Sequence, residues 1–194
     1  MSVAPTQTTE ASAINLMLAS IGERPLDNVN DSSRLDVVRA RAALNETNVL
    51  VQSRGWWFNE AEKVPLTPNN AGEYDLPPNV VKVDAYYEYI DKFVQRGKRL
   101  YNKVDRTYIG NTDILYVSWV ELLPFNDLPE SARLYIARRA GVVYQTRAVG
   151  SPVLFEFTEQ AAEEAWGLLQ NEETEHVDTN LTFAPGIRDA VYRR

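Results

Sequence analysis

The stretch VVRARAALNETNVLVQSRGWWFN, Val37 to Asn59, decides how the rest of the chain is read. It reads as a long amphipathic helix, a glycine stop and three large aromatic residues in succession. Leu35, Val38, Ala42 and Val49 fall on one stripe at helical spacing, and Val37, Ala40, Leu44 and Val51 fall on its neighbour. Together they predict one wide apolar face. Ser33 and Asp36 have the spacing of a capping box, whose side chains satisfy the donors that a first turn leaves over, so the helix is expected to begin near Ser33. Gly55 is the expected stop, because the residue just past a helix end often takes positive φ, which glycine adopts without a Cβ clash. Trp56, Trp57 and Phe58 follow, and with Gly55 they form a predicted structural anchor. Each large ring removes ~150–250 Å² from water. At ~25 cal/mol per Å² that is at most roughly 4–6 kcal/mol per ring. A plain core cluster joining one substructure to another is the simpler reading, and a stacking platform for sugars or bases is the alternative. On the core reading, Trp57→Ala costs ~3–5 kcal/mol if that ring is buried.

The bulk numbers bound the function. A chain of 194 residues can bury a real core and suits one domain, or one domain carrying a sizeable insertion. The composition, 44% hydrophobic and 24% charged, is that of a globular protein. With a formal net charge of −7, the whole chain is not drawn nonspecifically to nucleic acid or to an anionic membrane. The lack of cysteine excludes disulfides, thiolate zinc sites and cysteine nucleophiles. The start, MSVAPTQTTEASA, has no signal-peptide character, and no run approaches the ~18 apolar residues of a membrane span. A soluble protein made in the cytosol, with no membrane partner, is the expectation.

Outward from the central stretch, the spacing predicts a short helix from Thr9 with Ile14, Met17, Leu18 and Ile21 on one side, ended by Gly22 and Pro25. Between Glu60 and Phe125, tyrosines and valines alternate with polar residues, and prolines and glycines punctuate them. Strands are expected near 62–67, 73–76, 80–89, 92–95, 99–104 and 114–122, with hairpin turns at Gly97 and from Gly110 to Thr112. The alternation of Val81, Val83, Ala85 and Tyr87 with Lys82, Asp84, Tyr86 and Glu88 predicts a half-buried sheet. Asp127, Pro129 and Glu130 signal a helix that buries Ala132, Ile136, Ala140 and Val143 and carries Arg133, Arg138, Arg139 and Arg147 elsewhere. Ser151 and Pro152 open another, with Leu154, Phe157, Ala161, Ala165 and Leu168 inward and Glu156, Glu159, Glu163, Glu164, Glu172 and Glu173 outward. A basic helix and an acidic one joined near Gly150 make an antiparallel hairpin whose charges meet at its edges. From His176 onward periodicity fades into an arm with Leu181, Phe183, Ile187, Val191, Tyr192 and a terminal Arg193 and Arg194.

The predicted class is α+β: a discontinuous helical bundle from residues 1–55 and 126–175, an inserted small antiparallel sheet or partial barrel over 56–125, and an extended C-terminal arm over 176–194. Little in the sequence suggests chemistry. One histidine, His176, and no cysteine build neither a Ser-His-Asp set nor a transition-metal cluster. No GxGxxG or GxxxxGK[ST] occurs. Carboxylate pairs such as Glu60 with Glu62, or Asp84 with Glu88, are weak glycosidase signals in an acidic chain. No catalytic residue, cofactor or metal is assigned.

Three motifs, LASIGERPL from Leu18, QSRGWWFN from Gln52, and DLPESARLYIARRAG from Asp127 leading into VGSP, carry a family resemblance in this order and spacing. The chain resembles the tail tubular protein A family of short-tailed bacteriophages, the adaptor or gatekeeper at the head-to-tail junction. The resemblance spans about residues 9–175. It implies a structural virion protein, assembled from the host cytoplasm as a twelve-fold ring beneath the portal, with the nozzle (tail tubular protein B) below, tail fibres docking at the junction and DNA passing through the lumen. An acidic chain fits a conduit along which DNA slides without sequence-specific binding. Under this reading the candidate subunit or partner contacts are Arg133, Arg138, Arg139, Arg147, Glu163 and Glu164 on the last two helices and Phe183, Ile187, Tyr192 and Arg194 on the arm. The competing reading is a carbohydrate-binding or glycan-hydrolysing tail module that uses Trp56, Trp57 and acidic residues.

Overall fold

The computed structural model describes residues 6–30, 33–86, 89, 91–110 and 114–183, the side chains of 177–183 excepted. It divides into two compact units, one of Met1–Val51 with Pro124–Arg194 and the other of Gln52–Leu123. The chain is α+β, with helices in the first unit and small antiparallel sheets in the second.

In the first unit, α1 (Glu10–Ser20) starts at a capping box in which the Thr9 hydroxyl accepts from the Ser12 N–H at 3.1 Å and the Ser12 hydroxyl accepts from the Thr9 N–H at 2.8 Å. Its inward residues are Ile14, Met17 and Leu18, as the spacing predicts. Helix α2 (Leu35–Gln52) begins two residues later than expected, and Asp36 directs its carboxylate to the Val37 N–H and the Arg34 guanidinium. Helix α3 (Glu130–Ala148) follows a short 3-10 turn over Phe125–Asp127, so Pro129 rather than Asp127 holds the N-cap position. The Glu130 carboxylate in its first turn instead accepts from the backbone N–H and hydroxyl of Thr8. After Gly150, α4 (Pro152–Phe183) returns along α3, and the buried Gln145 amide donates to the Ser151 carbonyl at 3.0 Å to fasten the hairpin.

Two helices face otherwise than their spacing suggests. The predicted wide face of α2 is two opposed faces: Val37, Ala40, Ala43, Leu44, Thr47 and Val51 are buried, whereas Leu35, Val38, Ala42 and Val49 are exposed. On α4, Phe157 and Leu168 point outward, and the side against α3 is made by Ala162, Ala165 and Leu169. Small side chains there let the helix axes approach closely, so alanines rather than the bulky residues mark the inner face. On α3, Ala132, Ile136 and Ala140 are buried as expected, but Val142 is buried and Val143 only half so. The helical backbone of α4 also runs through His176 to Phe183, eight residues into the segment expected as an extended arm. Ile187, Tyr192 and Arg194 lie outside the described residues.

In the second unit, β1 (Glu60–Leu66), β2 (Val80–Ala85) and β5 (Leu115–Glu121) form an antiparallel sheet in the order β1-β5-β2, and β3 (Phe93–Arg96) pairs with β4 (Arg99–Asn102) through a turn at Gly97, whose φ is +63°. The expected strand near 73–76 makes only isolated bridges, Glu73 to Ile109 and Asp75 to Arg99. The turn expected over Gly110 to Thr112, and Tyr87 and Glu88 of the predicted alternation, fall largely outside the described residues. Leu66, Tyr74, Leu76, Ala85, Phe93, Leu100, Leu115 and Val117 close into a core, with the Tyr74 and Phe93 rings edge to face at 5.9 Å.

Candidate functional site

The segment Gln52–Asn59 forms a closed joint within the second unit. At Gly55 the backbone turns with φ +86°, and a Cβ there would lie 3.1 Å from a Val120 methyl. Left-handed φ costs an L side chain ~1–2 kcal/mol, and the Val120 contact adds to it. Gly55→Ala is therefore expected to destabilise the protein by about 2 kcal/mol, read as a lower denaturant midpoint, and an unchanged midpoint would contradict the assignment.

The turn drives Trp56 inward, where it is 1% exposed, while Trp57 and Phe58 are half-buried. Trp56 stacks on Phe58 with centroids 6.3 Å apart and meets Trp57 edge to face at 6.4 Å. The Arg54 guanidinium lies 4.9 Å above the Trp56 ring. Thus the anchor ring is Trp56, not the Trp57 singled out from sequence. A sugar-stacking face must be open to solvent, and Trp56 has none.

Two buried amides that sequence reasoning passed over knit the joint together. Asn59 donates through Nδ2 to the carbonyls of Gln52 (3.0 Å) and Glu121 (2.9 Å), and its Oδ1 accepts from the Trp56 N–H at 2.9 Å. Gln52 is fully buried, donates through Nε2 to the Leu123 carbonyl (3.0 Å), and accepts the Leu123 N–H on Oε1 (2.8 Å). The side chain thereby acts as a strand partner and ties the unit's first residue to its last. The signal available in the sequence was that both amides bracket an aromatic run in the motif QSRGWWFN.

The candidate contact residues of the first unit fare differently. Arg133 is buried, with Nε donating to the Leu128 carbonyl at 2.6 Å and Nη1 to the Thr8 carbonyl at 3.3 Å. It was expected on the outer side of its helix, but a guanidinium is admitted inside when carbonyls take its protons, and its role is to brace the α3 N-terminus. Arg139 donates to both carboxylate oxygens of Glu159 at 2.9 Å, which is the charge contact expected between α3 and α4. Beside it, Tyr135 and Trp166 pack with centroids 4.9 Å apart, and Glu163 borders the same shallow cavity of about 180 Å³. Arg138 lines a second cavity, of about 250 Å³, with Leu16 and Gly141 of the neighbouring helices. Glu164 is exposed and accepts from Gln160 at 3.2 Å. Phe183 ends α4, and its side chain lies outside the described residues.

Arg147 reaches instead to α2, where it grips Glu46 in a two-pronged contact at 2.6 and 2.9 Å. Hydrogen bonds from Arg147 hold the Glu46 carboxyl below the usual carboxylate range, and those from Arg34 do the same for Asp36. Their folded pKa values are depressed, so the stability they contribute is present above the unfolded values and is lost as pH falls through the folded ones. The stability of the protein should fall with acidification below about pH 4.5. Thermal melts from neutral to acid pH check this: Glu46→Gln should flatten the acid limb and scarcely change the neutral melt, and an acid limb identical to wild type would refute the linkage.

Among the described residues no three His, Asp or Glu side chains converge to hold a metal, and no helix is long and apolar enough to cross a membrane. His176 is exposed, as are Glu60 and Glu62. What the geometry defines is an α+β structural chain whose buried amides and arginines are committed to holding backbone and helix ends. The chain belongs to the tail tubular protein family, whose model matches residues 11–179. It is therefore a structural component of a phage tail and assembles into the tail complex of the virion. A comparison with curated proteins gave no match.

Proposed function

We propose that this tail tubular protein is of the A type, the head-to-tail adaptor or gatekeeper. It assembles from the host cytoplasm as a twelve-fold ring between the portal and the nozzle, with tail fibres docking near the junction and DNA passing through the lumen. The observation that carries this reading is that QSRGWWFN, one of the motifs by which the chain resembles the A type, forms the joint at which the β unit begins and ends. Such a joint lets a sheet unit be inserted into a helical chain and keep its own core, an arrangement suited to offering separate surfaces to separate partners. The net charge of −7 supports a lumen that does not grip DNA, because affinity for a duplex is dominated by neutralising its phosphates.

Native mass measurement of the purified chain, alone and with portal protein, tests the proposal. A ring, or a ring-on-portal complex, is the expected result. A chain that stays monomeric and ignores the portal overturns it.

A further inference from the structure

Helices α2 and α4 flank α3 on opposite sides. The α3 side chains that meet α4 include Tyr135 and Arg139, and those that meet α2 include Tyr144 and Arg147. Tyr135 and Tyr144 are nine residues apart in the sequence. At ~3.6 residues per turn that is about two and a half turns, which places them on opposite faces of α3. The outer sides of α2 and α4 therefore look away from each other, on two flanks of the same unit.

Both outer sides are apolar. On α2, Leu35 is 59% exposed, Val38 44% and Leu50 71%, and Ala42 lies between them on the same stripe. On α4, Val153 is 63% exposed, Phe157 68% and Leu168 55%, and their spacing of four and eleven residues keeps them on one stripe. A helix that is apolar on two opposed faces is normally covered on both, and the single chain covers only the inner ones.

The two stripes differ in charge. Between Pro152 and Phe183, α4 carries seven glutamates and no lysine or arginine, with Glu156 and Glu164 exposed beside the stripe. The α2 flank exposes Arg39, and the Arg147 guanidinium is 59% exposed beside it. Pairing α4 with its own copy would set glutamates against glutamates, whereas the α2 flank offers apolar surface rimmed by arginine. Unlike, complementary patches on opposite flanks are what a head-to-tail contact requires, and such contacts close into rings when the rotation permits.

We propose that the outer face of α2 on one copy seats on the outer face of α4 on the next copy, and that this contact, repeated, builds the ring. This rests on the ring reading above and adds to it which surfaces meet. The absence of cysteine lets the contact be tested directly. Val38→Cys and Phe157→Cys chains are made singly and together, carried through the portal mixture used for native mass, and treated with a short bismaleimide.

The double variant should give a ladder of linked multimers. Each single variant alone should give none, and the two singles mixed should give linked dimers. Phe157→Glu should weaken self-association at least tenfold while leaving the melting temperature unchanged, because the side chain is exposed in the single chain. If the ring forms by native mass but no ladder appears, or if one single variant links to itself, the α2-to-α4 contact is overturned and the ring reading stands. If no ring forms with wild-type chain under any condition, both fall.

Discussion

Replacing Trp56 with alanine is expected to destabilise the protein by about 3–5 kcal/mol, the largest loss among the aromatic residues of the joint. The ring is 1% exposed and is held between the Phe58 face and the Trp57 edge. Alanine would both forfeit the transfer of a large apolar surface from water and leave a void that neighbours tied to the backbone cannot fill. The Asn59 network makes collapse costly, because Asn59 Oδ1 is bonded to the Trp56 N–H and its Nδ2 to two carbonyls. Trp57→Ala removes a half-buried ring and should cost about 1–2 kcal/mol. Denaturant unfolding of both variants provides the comparison. Equal losses, or a Trp56→Ala loss below about 1 kcal/mol, would show that Trp56 is not the anchor. Collisional quenching gives a second measure, since a fluorescent Trp56 should resist a quencher that reaches solvent-facing tryptophans.

Gln52→Ala is the second large effect, expected at about 2–4 kcal/mol. The Gln52 amide satisfies both the N–H and the carbonyl of Leu123 from a fully buried position, so its removal strands two backbone groups. An unsatisfied buried group costs ~1–3 kcal/mol, more than an ordinary hydrogen bond contributes when present. Gln52→Glu should be at least as harmful. Its carboxylate still accepts the Leu123 N–H, but it faces the Leu123 carbonyl with no proton to donate and brings a charge into the interior. Hydrogen exchange at the Leu123 amide, slow in the parent chain, should accelerate in both variants. Protection that survives Gln52→Ala would mean that another group holds Leu123 and that the side chain is incidental.

Much of the architecture was legible in the residues. The first helix announced itself through Thr9, Ile14, Met17 and Leu18, the stop at Gly55 through its position after the central helix, the β region through its alternating tyrosines and valines, and the α3–α4 hairpin through Gly150 and the opposite charges that meet as Arg139 and Glu159. The family could be identified from three short motifs because they preserve order and spacing, which the match over residues 11–179 reflects.

Chain order, helical period and turn residues are local properties, and the sequence by itself determined them: which segments are helix and which are strand, where glycine ends a helix, and that an aromatic cluster follows the central one. Which side of a helix faces inward is not local. Both stripes of α2 satisfy the same period, and the apolar residues of α4 lie on two opposed sides, so periodicity alone cannot rank one above the other. Only the packing of α1, α2 and α4 around α3 decided that Val37, Leu44, Ala165 and Leu169 go in and that Leu35, Leu50, Phe157 and Leu168 stay out. Likewise only the return of the chain from β5 to Leu123 turned Gln52 into a partner for distant backbone, because a hydrogen bond across seventy-one residues leaves no periodic trace.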